Sequence, residues 1–217
     1  PLYSATVVNR LRDAGAVLLG KTQLTEGAFG AHHPDVVPPL NPWARQAWTG
    51  VSSSGSGVAV AAGVAFAAIG SDTGGSIRFP SASCALVGLK PTYGRVSRYG
   101  LIAFGSSLDC VGPLARCVED IALLLSVIAG HDPSDATSLP DKPPDYLDQC
   151  RKPLGQLKLG VVQEHFGDGL DPEVKTHVEE AIDQFRSLGA TVTPVRLPHT
   201  SFAIAAYYII ASSEASS

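Results

Sequence analysis

Apolar residues recur along this chain with two different spacings, and the change from one to the other predicts its elements. From Leu2 to Ala14 they return every three or four positions, with Arg10, Arg12 and Asp13 on the other side, which predicts a helix stopped by Gly15. The short apolar run Ala16 to Leu19 then predicts a buried strand. The same order returns late in the chain: Asp171-Pro172 opens a helix through Val178, Ala181, Ile182 and Phe185, Gly189 closes it, and Ala190 to Val195 alternates as a strand does. Helix-then-strand units of this kind predict an α/β protein with a largely buried sheet.

Between these units, Thr49 to Leu89 carries almost no charge and is dominated by Gly, Ser and Ala. A flexible linker has that composition, but it has no reason to contain the small apolar block Val58 to Ile69, which predicts a buried helix and strand. Val118 to Ala129 predicts an amphipathic helix ended by Gly130, and the proline- and acid-rich stretch 132–153 predicts a surface connection. No repeat of fixed period is present.

Composition narrows the classes. With 45% hydrophobic and 17% charged residues, the chain is globular rather than disordered, and no apolar stretch is long enough for a membrane span. A net charge of -4 without a basic run gives no electrostatic reason for direct nucleic-acid binding. Cys84, Cys110, Cys117 and Cys150 have neither CxxC spacing nor a nearby His pair, so they are read as reduced thiols, consistent with a cytosol-like compartment. His32-His33 lacks carboxylate or Cys partners at ligand spacing, and no metal site is expected. The start at Pro1, the absence of Met and the ending Ser216-Ser217 directly after an apolar run make both ends read as cut.

One motif misleads. Gly15-Ala-Val-Leu-Leu-Gly20-Lys21-Thr22 matches the phosphate-loop string, yet a helix precedes it, and its variable positions are those of a strand rather than a pliable loop. The informative pairing is Ser52-Ser53-Ser54-Gly55-Ser56-Gly57 with Ser76, twenty-four residues after Ser52, in Asp72-Thr73-Gly74-Gly75-Ser76-Ile77-Arg78. Acyl transfer needs an activated nucleophile and donors aimed at the oxygen that becomes negative. Glycines before a serine let main-chain N–H groups turn toward that oxygen, so Thr73, Gly74 and Gly75 are candidate oxyanion donors. The histidines lie far away in sequence and no G-x-S-x-G elbow is present, so a serine-rich loop suggests a hydroxyl relay to another base, such as lysine. Asp72 and Arg78 flank the nucleophile and are expected to brace its loop.

The two serine loops, their spacing and the run Gly88-Leu89-Lys90-Pro91-Thr92-Tyr93-Gly94-Arg95-Val96-Ser97-Arg98-Tyr99-Gly100 resemble the amidase-signature family, most strongly over 52–112. The resemblance covers the whole chain and implies one partial domain over 1–217 with its core motif region at 49–112. It implies a mixed central sheet covered by helices on both faces. It also implies a Ser–cis-Ser–Lys machinery: Ser76 as nucleophile, and Ser52, after a cis bond from Val51, as the bridging serine. The family usually has glycine where Val51 stands, which leaves Ser53 as an alternative bridge. The lysine falls in a segment before the part that Pro1 begins; Lys21 comes too late and Lys90 follows the nucleophile. Residues 1–217 alone are therefore expected to hydrolyse amides at no useful rate.

Within that family, Ser97 to Phe104, Ser107-Leu108-Asp109, Gly130-His131-Asp132-Pro133 and the closing Tyr207-Tyr208 to Ser216 stretch resemble the glutaminase subunits of tRNA-dependent amidotransferases. That likeness implies ammonia release from glutamine, a substrate-binding role for Tyr207, and partner subunits that handle ATP, Mg and tRNA, this chain needing no cofactor. It implies a cytoplasmic protein, or one of an organelle matrix. Thr25 to Gly30, His32 to Asp35 and Asn41-Pro42-Trp43 look more like stand-alone amidases acting on small carboxamides, and a catalytically silent fragment is the third reading.

Overall fold

The structure is a computed structural model and describes residues 2–153 and 155–217, so the reading of the start at Pro1 lies outside the described residues. The chain is α/β, with antiparallel and parallel strand pairs in two separate sheets. It divides into two compact units, one made of 1–150 with 209–217 and the other of 151–208.

In the first unit, helix α1 (Thr6–Asp13) lays Val7 and Leu11, one turn apart, into the core. Helix α2 (Ser54–Ala61) leads into strand β1 (Ala67–Asp72), and the short helix α3 (Arg78–Ser83) follows β1 after a five-residue turn that holds Ser76. Strands β2 (Val87–Gly88) and β3 (Cys110–Ala115) complete an antiparallel sheet in the order β1-β3-β2, with Asp72 opposite Cys110. Pro113 is tolerated in this central strand because its carbonyl faces β2, where it accepts the N–H of Leu89. The N–H that proline lacks would face the same side, so the β2–β3 ladder stops with this bond from Leu89, just past Gly88.

Helix α4 (Val118–Ile128) packs Leu125 and Ile128 against Val7, Leu11, Val96 and Val111 to form the core. Its first turn carries Glu119 and Asp120, matching the helix dipole. Its C-terminus is capped from α1: Arg10 Nη1 donates to the carbonyls of Ile128 (2.7 Å) and Gly130 (3.1 Å), and Nη2 to that of His131 (2.8 Å).

Two sequence expectations change here. Residues 16–19 form no strand: Val17 and Leu19 are strongly exposed, because no described strand lies alongside to supply hydrogen bonds. The phosphate-loop string at 15–22 is preceded by helix α1 rather than a strand, in line with the sequence reading, and no helix follows it directly. The connection 132–153 begins inside the molecule, with Asp132, Asp135 and Ser138 buried, and reaches the surface only afterwards. It also holds a short helix, α5 (Tyr146–Cys150).

The second unit pairs β4 (Lys158–Val162) with β5 (Thr191–Val195) in parallel through helix α6 (Pro172–Ser187). Asp171 caps α6 by accepting the N–H groups of Glu173 (2.8 Å) and Val174 (3.3 Å), and Pro172 occupies the first turn, as the sequence pattern predicts. Helix α7 (Ala203–Ala215) ends the chain.

Candidate active site

The turn between β1 and α3 is organised by one carboxylate. Asp72, fully buried at the end of β1, accepts the N–H of Gly75 (2.8 Å) on Oδ1 and those of Ile77 (3.1 Å) and Arg78 (3.3 Å) on Oδ2. The Arg78 guanidinium adds two parallel bonds, Nε to Oδ2 (3.1 Å) and Nη2 to Oδ1 (3.0 Å), in the fork geometry that suits a carboxylate. Burial pushes the Asp72 carboxyl up, but the hydrogen bonds from Arg78 and Ile77 outweigh it and hold the group below its ordinary range. The same hydrogen bonding raises Arg78.

This bracing engages one of the three candidate oxyanion donors, the N–H of Gly75. Gly75, at a φ of +132° that only glycine adopts readily, turns its N–H back onto Asp72 and so does not offer it outward. The buried carboxylate needs donors, and that N–H is the nearest in sequence to reach it. Among the described residues the N–H groups of Thr73, Gly74 and Ser76 have no acceptor. These three, rather than Thr73, Gly74 and Gly75, are the N–H groups of the turn left open around the candidate nucleophile Ser76.

The second serine loop lies against this turn. The Val51–Ser52 bond is cis, Ser52 is buried, and the next residue, Ser53, donates its N–H to the carbonyl of Ser76 at 3.3 Å. The Ser53 hydroxyl is otherwise engaged: it bonds the carbonyl and the N–H of Ser71 on β1, each at 3.2 Å. That approach requires glycine at position 70, where a Cβ would fall 2.7 Å from Ser53 Oγ. Neither Ser52 Oγ nor Ser76 Oγ has a hydrogen-bond partner among the described residues, and the two hydroxyls are not bonded to each other.

The other sequence candidates sit as follows. Lys90 Nζ donates to the carbonyl of Pro91 (2.8 Å) and approaches Cys110 Sγ (3.7 Å), while Lys21 is exposed. Burial pushes the Cys110 thiol up. His32 Nε2 meets Ser54 Oγ at 3.0 Å, whereas His33 turns to Asp35, so the two rings serve different partners. Among the described residues no group of three His, Cys, Asp or Glu could hold a metal ion. Tyr207 lies in the second unit on α7, its ring 5.3 Å from that of Tyr208.

The family model described as amidase matches residues 1–217. This chain belongs to the amidase family. The A subunit of glutamyl-tRNA(Gln) amidotransferase from Chromohalobacter salexigens is 56% identical over 217 residues, covering 99% of this chain and 45% of the relative. Its counterpart in Carboxydothermus hydrogenoformans is 54% identical, covering all of this chain and 45% of its own length. Among solved structures, the same amidotransferase subunit from Thermotoga maritima superposes with a TM-score of 0.94 at 43% identity, covering 99% of this chain and 48% of that one. The native peptide amidase of Stenotrophomonas maltophilia gives 0.83 at 38% identity, covering 98% and 45%. This amidase chain thus spans about half the length of the relatives it matches.

Sequence reasoning assigned no role to two carboxylates near this amidase site. Asp109, which is 2% exposed, accepts the hydroxyl of Thr73, and Glu214 binds Ser107. The available signal was an acid set directly before the wholly buried strand β3, where a charge needs internal donors.

Proposed function

We propose that this chain is the nucleophile-bearing part of an amide-cleaving enzyme, specifically the glutaminase subunit of a glutamyl-tRNA(Gln) amidotransferase. The observation that carries the reading is the hydrogen bond from Ser53 N–H to Ser76 C=O, which sets the Ser52 loop directly against the Ser76 turn. Identities of 52–56% to amidotransferase subunits of this kind favour this member of the family over others.

In this reading Ser76 Oγ attacks the side-chain amide carbon of glutamine, and the N–H groups of Thr73, Gly74 and Ser76 stabilise the oxygen that becomes negative. The Ser76 proton passes through Ser52 Oγ to a lysine outside residues 1–217. The proton returns along the same path to the amide nitrogen, and collapse of the tetrahedral intermediate then releases ammonia and leaves a glutamyl ester on Ser76, which water hydrolyses. Tyr207 helps to hold the glutamine. Partner subunits consume the ammonia and handle ATP and tRNA, and residues 1–217 on their own release none.

The test is ammonia release from glutamine by the chain extended to the length of its relatives, with and without the partner subunits. Ser76→Ala is expected to lower turnover at least about 10³-fold, and Ser52→Ala nearly as far. Turnover that survives Ser76→Ala would sink the reading. Full hydrolysis of simple carboxamides with no stimulation by partners would replace it with a stand-alone amidase, which the His32 to Asp35 segment and the likeness to peptide amidase favour.

A further inference from the structure

Asp72 pins only the far end of the nucleophile turn. Its near end is held by a second buried carboxylate, Asp109, set directly before strand β3. Since Asp72 pairs with Cys110 in the antiparallel register, the residues just beyond them, Thr73 and Asp109, face each other at the end of the sheet. Thr73 Oγ1 donates to Asp109 Oδ1 at 2.5 Å. The same carboxylate accepts the N–H of Phe104 on Oδ2 (2.9 Å) and that of Gly105 on both oxygens (3.1 and 3.2 Å). No cation bonds it among the described residues, so one hydroxyl and two amides supply all its donors. A buried carboxylate so sparsely served holds each donor firmly.

The loop that provides those amides is closed from outside. Glu214, near the end of α7 and in the same unit, accepts the Ser107 N–H on Oε2 (2.9 Å) and the Ser107 hydroxyl on Oε1. Gly105 sits between the two contacts: a Cβ there would come within 3.0 Å of Thr73 Cγ2 and 3.7 Å of Glu214 Oε2.

We propose that Asp109 is a positioning residue for amide cleavage, and that it fixes the open N–H row of Thr73, Gly74 and Ser76 by anchoring Thr73 to the central strand. Glu214 secures the loop that completes the Asp109 site. The inference rests on the function proposed above. The geometry separates two tasks: Asp72 shapes the turn from Gly75 onward, and Asp109 sets where the turn begins. A donor displaced by a fraction of an ångström still binds the ground-state amide but loses its aim at the developing charge. The effect therefore falls on kcat rather than KM.

The experiment compares Thr73→Val, Thr73→Ser, Asp109→Asn and Glu214→Gln in the chain extended to the length of its relatives, measuring kcat and KM for glutamine with the partner subunits present. Thr73→Val and Asp109→Asn are expected to lower kcat about 10- to 100-fold with KM within about twofold. Thr73→Ser, which keeps the hydroxyl, should stay within about threefold of the parent, and Glu214→Gln should fall by less than about tenfold. If Asp109→Asn does not fold, Thr73→Val breaks the same bond while leaving the carboxylate its two amides. An unchanged kcat in Thr73→Val would overturn the proposal, as would a loss confined to KM or a Thr73→Ser variant as impaired as Thr73→Val. Ser76→Ala separates the two failures: if that variant keeps turnover, the proposed function is wrong. If it is dead while Thr73→Val is fully active, only the role of Asp109 is wrong.

Discussion

At the scale of single residues, the turn that holds Ser76 shows how unequal the two ends of an ion pair can be. Asp72 is fully buried and serves three main-chain N–H groups besides the guanidinium, whereas the Arg78 side chain is 55% exposed and can be hydrated when its partner is lost. Removing the carboxylate strands buried donors, while removing the arginine leaves a carboxylate that still has three of them. Asp72→Ala is accordingly expected to cost roughly 3 to 5 kcal/mol of unfolding free energy. Arg78→Ala, at a half-exposed position, should cost only about 1 kcal/mol. Urea titrations of the two variants followed by circular dichroism test this, and equal losses would show that the pair, not the main-chain cradle, holds the turn.

At the scale of elements, the same logic joins α1 to the segment after α4. Asp132 accepts the hydroxyls of Thr6 at the start of α1 (2.5 Å) and of Ser97 (2.6 Å), together with the N–H of Ser134 (2.9 Å). Burial pushes its carboxyl up, but these bonds prevail and lower it from 3.8 to about 2. A carboxyl depressed in the folded state stabilises the fold when ionised. Its contribution is complete above the ordinary value of 3.8 and is lost as the pH falls through about 2. Asp72 and Asp135, also lowered, act in the same direction. Asp132→Asn should therefore reduce stability at neutral pH and flatten the acid limb between about pH 4 and pH 2, as read from urea midpoints across that range. An unaltered acid limb would mean that Asp132 carries none of it. Such clamps explain what the sequence could not show. Period and punctuation predict α4 and the α6–β5 unit, because caps and apolar spacing are local. That Asp132 and Asp135 turn inward depends on donors more than thirty residues away. Residues 16–19 fail in the opposite sense: their local pattern fits a strand, but a strand also needs a neighbour. The approach of the two serine loops was legible because motif and spacing carry it, whereas the engaged N–H of Gly75 and the unengaged one of Ser76 follow from backbone angles that no spacing encodes.

At the scale of the whole molecule, burial is distributed very unevenly between the two units. Every fully buried apolar residue among the described ones belongs to the first, including Ile77, Leu114 and Ile128, and none lies between residues 151 and 208. Helix α6 has no buried residue over its full length, and β4 and β5 are partly or wholly exposed along theirs. Hydrophobic stabilisation follows the apolar area removed from water, so residues 1–217 by themselves supply the second unit with little of it. Its strand pairing is nonetheless regular, with Lys158–Val162 in parallel register against Thr191–Val195. Amide exchange followed by mass spectrometry should show α6, β4 and β5 at least about tenfold less protected than β1, β3 and α4. Urea should release the second unit in an early step whose slope reflects a small change in exposed surface. One cooperative transition with equal protection throughout would mean that the division by burial does not control stability. The separation also bears on chemistry, because both serines, both bracing carboxylates and the open N–H row belong to the well-packed unit, while Tyr207 belongs to the other. In residues 1–217, urea should lower the protection of α6, β4 and β5 before that of Gly75, Ile77 and Arg78, whose N–H groups Asp72 accepts, and the reverse order would contradict a stability set by burial.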